Sequence, residues 1–187
     1  MGTLSYTATV SLDGYVADAD GDFQWSAPDA EVFRFHVDRM EAVAHEVLGR
    51  HTYALMEYWQ NPPEGEEWGP DEQEFARRWQ AIPRTLVSST MTADDLASDT
   101  DRLVPRLDPG TLRRIVDEAD GEVEIFGPTT AAEAIRAGMV SDFLFFVVPK
   151  VVGGGLRALP PDARLDLELA EQRVFGGGTV LLHYRSR

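Results

Sequence analysis

Three short segments carry residue types from which an anion-binding site is built. In Gly49-Arg50-His51-Thr52-Tyr53 a glycine leads into a helix that opens at Thr52. Such a helix end presents free N–H groups and the positive end of its dipole to an anion, and Arg50 adds a bidentate contact to a phosphate. The same residues also suit a purely structural role, with Thr52 capping the helix and Arg50 solvated. In Gly127-Pro128-Thr129-Thr130 the glycine lets a pyrophosphate approach the backbone and the threonines offer hydroxyls. Thr130 and Glu133 also have the spacing of a capping box, which is first a stability device. Val87-Ser88-Ser89-Thr90 places hydroxyls after a strand, where α/β proteins commonly bind ligands.

One apparent motif is rejected. Gly153-Gly154-Gly155-Leu156-Arg157-Ala158 matches G-x-G-x-x-A, but Pro160-Pro161 stop any helix that should follow. Gly153 to Gly155 instead predict a tight loop at a strand end or beside a site. His36, His45, His51 and His183 are scattered singly, so no metal site is expected.

The elements that position these segments alternate between a period of two and a period of 3.6, the pattern of a mixed α/β fold. Tyr6, Ala8 and Val10 alternate with Thr7 and Thr9 in a first strand ended by Asp13-Gly14, and Asp18 to Asp22 form a turn. Val32, Phe33, His36, Met40, Val43 and Val47 predict one amphipathic helix from Asp29 to about Glu46. A short helix after Thr52 is expected to bury Leu55, Met56 and Trp59. Residues 60–71 form an exposed loop. Helices around Phe75–Trp79, Pro109–Ala119 and Ala131–Ala137 and strands at Thr85–Ser89 and Val123–Phe126 follow. Phe143–Val152 is apolar on both faces, as in a central strand. The alternation around Leu167 and Leu182, across Gly176 to Gly178, predicts a C-terminal hairpin.

The 187 residues include 17 basic and 32 acidic side chains, a formal net charge of −15, enough chain for one domain with a substantial core. Neither half is net basic, so nucleic acid is not an expected partner. Sixteen of the 17 bases are arginine, with Lys150 alone. The absence of cysteine removes disulfides, thiolate catalysis and cysteine-bound zinc. No window reaches the roughly 18 apolar residues of a membrane span and no leader precedes the first strand, so a cytoplasmic protein is expected.

These segments, in this order, resemble the dihydrofolate-reductase-like superfamily. Within it they are most similar to the riboflavin-biosynthesis reductase domain at the C-terminus of bacterial bifunctional deaminase-reductases. The resemblance spans the chain: Ser11-Leu12-Asp13-Gly14-Tyr15, Trp25-Ser26-Ala27-Pro28-Asp29, Gly49-Arg50-His51-Thr52-Tyr53, Ser88-Ser89-Thr90, Ile125-Phe126-Gly127, Pro149 to Gly155 and the terminal hairpin. It implies one domain over 1–187, with a three-layer α/β fold: a central, mostly parallel mixed sheet, flanking helices and a C-terminal β-hairpin.

It implies NADPH as cofactor. Gly49, Arg50, His51 and Thr52 would meet the nucleotide phosphates, Ser88 and Ser89 the adenosine 2′-phosphate, and Gly127, Pro128, Thr129 and Thr130 the pyrophosphate. The family often has a second glycine at position 128, and proline there removes an N–H. The implied activity is hydride transfer to a small heterocyclic or carbonyl substrate, most like reduction of a ribosylamino-pyrimidine phosphate. A pterin reductase, or a non-catalytic dimeric binding protein of the same fold, are the alternatives. Asp13, Asp29 and Glu31 are the candidate carboxylates beside the nicotinamide, although Asp29 and Glu31 each stand one residue from the acid of dihydrofolate reductases. Lys150, Gly153, Gly154 and Arg157 are candidates to bind a phosphorylated substrate. A homodimer is expected, with Phe143, Phe145, Phe146 and the hairpin as candidate interface elements, although burial within one chain explains them equally well.

Overall fold

The computed structural model describes residues 2–187. Its strands and α-helices follow as β1 (Thr3–Ser11), β2 (Tyr15–Ala17), α1 (Ala30–Arg39), β3 (Val43–Gly49), α2 (Arg50–Met56), α3 (Pro70–Ala81), β4 (Arg84–Val87) and β5 (Arg102–Val104). Then come α4 (Pro109–Glu118), β6 (Glu122–Ile125), α5 (Pro128–Arg136), β7 (Asp142–Val148), β8 (Leu156–Arg157), β9 (Leu167–Val174) and β10 (Val180–Ser186). Eight strands make one sheet in the order β5-β4-β3-β6-β1-β7-β10-β9, and β2 pairs with β8 beside it. The first six of that order are mutually parallel. β10 returns antiparallel to β7 and β9 antiparallel to β10, which is the expected mixed sheet with its hairpin.

Strand alternation assigns the two faces. Leu4, Tyr6 and Ala8 of β1, Val47 of β3, and Val123 and Ile125 of β6 pack under α4 and α5 through Leu112, Ile115, Ala131 and Ile135. The opposite face, under α1 and α3, holds two apolar clusters, one around Phe146 and Leu181 and one around Met40 and Trp79. Buried polar groups on that face come from β1, β3, β6, α1 and α3. Arg39, at the end of α1, reaches Glu122 and Glu124 at 2.6 Å each and donates to Thr7 Oγ1 at 3.1 Å. Trp79 Nε1 donates to Glu46 Oε2 at 2.9 Å.

The predicted helix from Asp29 to Glu46 is two elements. Asp29 caps α1 by accepting from Val32 N, but α1 ends at Arg39, and after a 3₁₀ turn the chain enters β3 between β4 and β6. Val43, Val47 and Leu48 are buried on a strand with layers on both sides, and their spacing coincides with that of a helix by chance. Leu55 is exposed instead of buried. Phe143 and Phe146 lie fully inside, because β7 sits between β1 and β10, so they are core and not interface. The exposed part of the hairpin is β9.

Candidate active site

Because six strands are parallel, the segments after β1, β3, β4, β6 and β7 all emerge at one edge of the sheet. There the sheet splits. β1 pairs with β6 only from Thr3↔Glu122 to Tyr6↔Ile125, but with β7 as far as Ser11↔Val148. Beyond Tyr6, β1 therefore has one bare edge, and a cleft of about 860 Å³ opens beside it. Thr7 and Thr9 lie on one side of this cleft, His51, Thr52, Gly127 and Pro128 on the other, and Gly155 and Leu156 close it.

The direction of the free peptide groups follows from the bonds on the other edge. Leu4 O accepts from Ser141 N at 2.9 Å and Leu12 N donates to Lys150 O at 2.7 Å, so even-numbered residues of β1 turn toward β7. Odd-numbered Thr7 and Thr9 turn the other way, toward the bare edge. Thr9 thus presents an N–H and a C=O to the cleft, the donor and acceptor that a primary carboxamide complements.

The two glycine turns, far apart in sequence, touch. A Cβ on Gly49 would overlap Thr130 Oγ1, and one on Gly127 would stand 3.2 Å from Thr52 Oγ1. Gly127 has φ 82°, which L side chains rarely adopt. α5 opens at Pro128 with Gly127 as its N-cap, so Thr130 is inside the helix and the predicted Thr130–Glu133 capping box does not form. Glu133 instead approaches Arg106 at 3.5 Å. Proline at the first helical position gives up an N–H that the helix itself does not use. Ala131 N is bonded to Gly127 O, which leaves the Thr129 and Thr130 amides at the positive end of a nine-residue helix. α2 opens at Arg50 and not at Thr52, because Gly49 is extended, and Thr52 does not cap it.

Substituting Gly49→Ala is expected to lower stability by about 1–3 kcal/mol, since the methyl has no room beside Thr130. In a Thr130→Ala background the penalty should shrink. Additive penalties in denaturant titrations of the two single variants and the double variant would show that the turns do not pack in this way.

Arg50 lines not the cleft but an adjoining recess of about 590 Å³, shared with Tyr53, Thr90, Glu57, Asp94 and Asp95. Ser88 is buried and its Oγ accepts from Thr90 N and Met91 N, both at 3.2 Å, so its hydroxyl builds the turn. Ser89 is exposed. Tyr53 OH accepts from Ala97 N at 2.6 Å and donates to Asp101 Oδ2 at 3.0 Å, which fixes one wall.

None of the three candidate carboxylates lines the cleft. Asp13 ties the loop after β1 to the loop after β7, accepting from Gly153 N at 2.8 Å and Val152 N at 3.2 Å. The Ser11 hydroxyl and these two amides hold its carboxyl below the usual range, so it remains an anion and has no proton to give at neutral pH. Asp29 is spent on capping α1 and lies hard against Gly177. Glu31 accepts from Gly176 N at 2.7 Å, with Arg173 at 3.6 Å. Both join α1 to the turn of the terminal hairpin.

The titratable side chains that do line the cleft are Tyr6, Asp18 and His51. Tyr6 donates to Ala158 O at 2.7 Å and burial pushes its pKa up, and Asp18 Oδ1 accepts from the Asp20 and Asp22 amides at 2.9 Å. His51 is exposed on the cleft wall.

The candidates after β7 are beside the cleft. Lys150 is exposed and contributes its carbonyl to Leu12 N. Gly153 serves Asp13, Gly154 lines no part of the cleft, and the Arg157 guanidinium lies 4.9 Å over the Tyr15 ring. Gly155, at φ 125°, packs so closely on Ala17 O that a Cβ would overlap it. What sequence reasoning missed is the bare edge of β1 with Thr7 and Thr9. Their alternation marked a strand, but only the early end of β6 exposes it.

The family model described as the RibD C-terminal domain matches residues 3–181. No curated protein matches the chain in sequence. A protein from Shewanella sp. PV-4 named for riboflavin biosynthesis superposes with a TM-score of 0.74 at 20% identity, covering 99% of each chain. RibD from Acinetobacter baumannii gives 0.73 at 13% identity, covering all of this chain and 58% of that one. Dihydrofolate reductase from Enterococcus faecalis, solved with NADP(H), gives 0.61 at 12% identity, covering 99% of this chain and 96% of that one. Likeness at these identities establishes a dihydrofolate-reductase-like fold.

Proposed function

The chain belongs to the RibD C-terminal domain family, and from that premise we propose that it is an NADPH-dependent reductase of a small heterocyclic or carbonyl substrate. The substrate class is closest to that of the 5-amino-6-(5-phosphoribosylamino)uracil reductase named among its structural neighbours. The observation that carries this reading is the split in the sheet beside two touching glycine turns. One cleft there offers a free peptide edge at Thr9 and reaches Gly127 and Pro128, where α5 opens with its Thr129 and Thr130 amides free of helix bonds just behind, and Arg50 lines the recess beyond. Those donors suit, in order, a carboxamide, a pyrophosphate and a phosphomonoester.

When bound, a reduced nicotinamide supplies the hydride. The protein's part is to hold the ring against the bare edge of β1 and to keep the acceptor carbon close. Gly49 and Gly127 let the two turns pack against Thr130 and Thr52, which brings the openings of α2 and α5 together where a pyrophosphate would lie. Asp13 stays ionised and braces the loop that closes the cleft, so the proton that completes reduction comes from His51 or from water. What speaks against the pterin alternative is that Asp29 is engaged at the N-cap of α1 and Glu31 at the hairpin turn. We further propose that residues 1–187 act as one domain. We also propose that the chain forms a homodimer through the exposed edge strand β9, which carries Leu169 and Val174.

The test combines binding with turnover. NADPH should raise the melting temperature, and its oxidation, followed by near-ultraviolet absorbance, should require a pyrimidine substrate. Binding without turnover across pyrimidine, pterin and carbonyl substrates would favour the non-catalytic alternative. Arg50→Ala should weaken NADPH by about 10- to 100-fold and NADH much less, as expected for loss of a charge-assisted phosphate contact. Equal losses would remove Arg50 from the 2′-phosphate.

A further inference from the structure

Resting on the reductase reading of the cleft, we propose that the acceptor it reduces is an uncharged ring compound without a phosphate, held between apolar walls. At about 860 Å³ the cleft stands in the upper part of the range for small-molecule sites, so a nicotinamide and an acceptor ring can share it. Val16 and Leu156 of the β2–β8 pair, Leu55 of α2, Phe126 after β6 and Phe23 before α1 line it. Leu55 and Leu156 are 45% and 47% exposed. Apolar side chains left half in water at the rim of a cavity are covered when a flat apolar ligand enters, and that burial favours binding.

Charge acts in the same direction. Among the described residues no lysine or arginine lines the cleft, whose ionisable side chains are Tyr6, Asp18 and His51. The Asp20 and Asp22 amides fix the Asp18 carboxylate on the wall. A phosphomonoester brings roughly −1.5 to −2 at neutral pH and is ordinarily met by guanidinium or ammonium groups. The cations close by in sequence are placed elsewhere: Arg157 lies over the Tyr15 ring, Arg50 lines the recess, and Lys150 is exposed after β7. In the reductase reading the opening of α5 is taken by the dinucleotide. A phosphate on the acceptor would then meet Asp18 and the charge of the dinucleotide with no counter-ion in the cleft. An uncharged ring needs none, and its N–H or amino groups find in Asp18 a group that only accepts.

The experiment follows NADPH oxidation by the full chain with matched acceptors, a ribosylaminopyrimidine and its 5′-phosphate, and measures the binding of each to the chain saturated with NADP⁺. The unphosphorylated member should have the higher kcat/KM, by about tenfold or more at low salt, and the gap should narrow at high salt. Leu55→Arg, which sets a guanidinium at the rim, should shift the ratio toward the phosphorylated member by about fivefold or more, and Leu55→Gln should not. Equal use of the pair, a preference for the phosphate, or a Leu55→Gln variant that shifts the ratio as far as Leu55→Arg would overturn the proposal, while NADPH oxidation would leave the reductase reading standing. If NADPH binds but neither member of the pair binds or is reduced, the acceptor is of another kind and the proposal falls. If NADPH itself does not bind, the reductase reading fails and takes the proposal with it.

Discussion

Arg84→Met is expected to lower the free energy of unfolding by about 3–5 kcal/mol, the cost of stranding a buried charge. Arg84 opens β4 with 0% exposure, and its Nε donates to Asp101 Oδ1 at 2.9 Å. Its Nη1 donates to Trp79 O at 2.8 Å, and the guanidinium lies 4.1 Å over the Trp79 ring. Methionine fills much of the volume but leaves the Asp101 carboxylate with only Tyr53 OH for support. Because Asp101 and Tyr53 fix the wall of the Arg50 recess, nucleotide binding should weaken as well. Arg34→Ala is the comparison: its partners Asp38 and Asp71 are exposed, and its loss should cost less than about 1 kcal/mol. Equal midpoints for the two variants in guanidinium titrations would mean that the buried pair contributes nothing special.

Stability is also expected to fall as pH rises from about 6.5 to 8, by on the order of 1–2 kcal/mol, and Glu46→Gln should flatten that decline. Burial, reinforced by the Glu124 carboxylate, pushes the Glu46 pKa up to about 8, against the pull of Arg84 and the Trp79 indole. A carboxyl whose folded pKa is raised contributes fully below its unfolded value. That contribution is lost as pH climbs through the folded value, because the unfolded chain releases the proton first. His36 works in the opposite sense. Burial, aided by Arg39, holds it down to about 4, so its contribution is present above the unfolded value and is lost as pH falls. Between about 4.5 and 6.5 the two slopes oppose each other, and above 6.5 Glu46 acts alone. Glutamine keeps an oxygen for Trp79 Nε1 and removes the titration. A Glu46→Gln profile parallel to that of the unmodified protein from pH 6.5 to 8 would assign the decline to another group.

The same glutamate shows where sequence reasoning stopped. Glu46 lies in a stretch whose apolar spacing fits a helix, yet the chain is a strand there, and the clue was only the density of β-branched valine. β1, β7 and the terminal hairpin were legible because each shows its burial pattern directly, alternating or fully apolar. The glycine turns were legible one at a time, from residue type, but their contact through Gly49, Thr130, Thr52 and Gly127 joins positions about 80 apart. Asp29 and Glu31 were plausible acids by residue type. What assigns them elsewhere is a hairpin about 145 residues downstream, whose backbone amides and close packing engage them.

By itself, the sequence determined the α/β class, the order of strand and helix, the absence of thiol chemistry, and the presence of glycine-and-hydroxyl turns after strands. These follow from local periodicity, turn chemistry and residue inventory. Only the tertiary structure decided which turns meet, where the sheet splits to leave Thr9 unpaired, which carboxylates are spent on capping and bracing, and that Arg50 shares its recess with three acids. Each of those depends on strand register and long-range packing, which bring together residues that share no local signal.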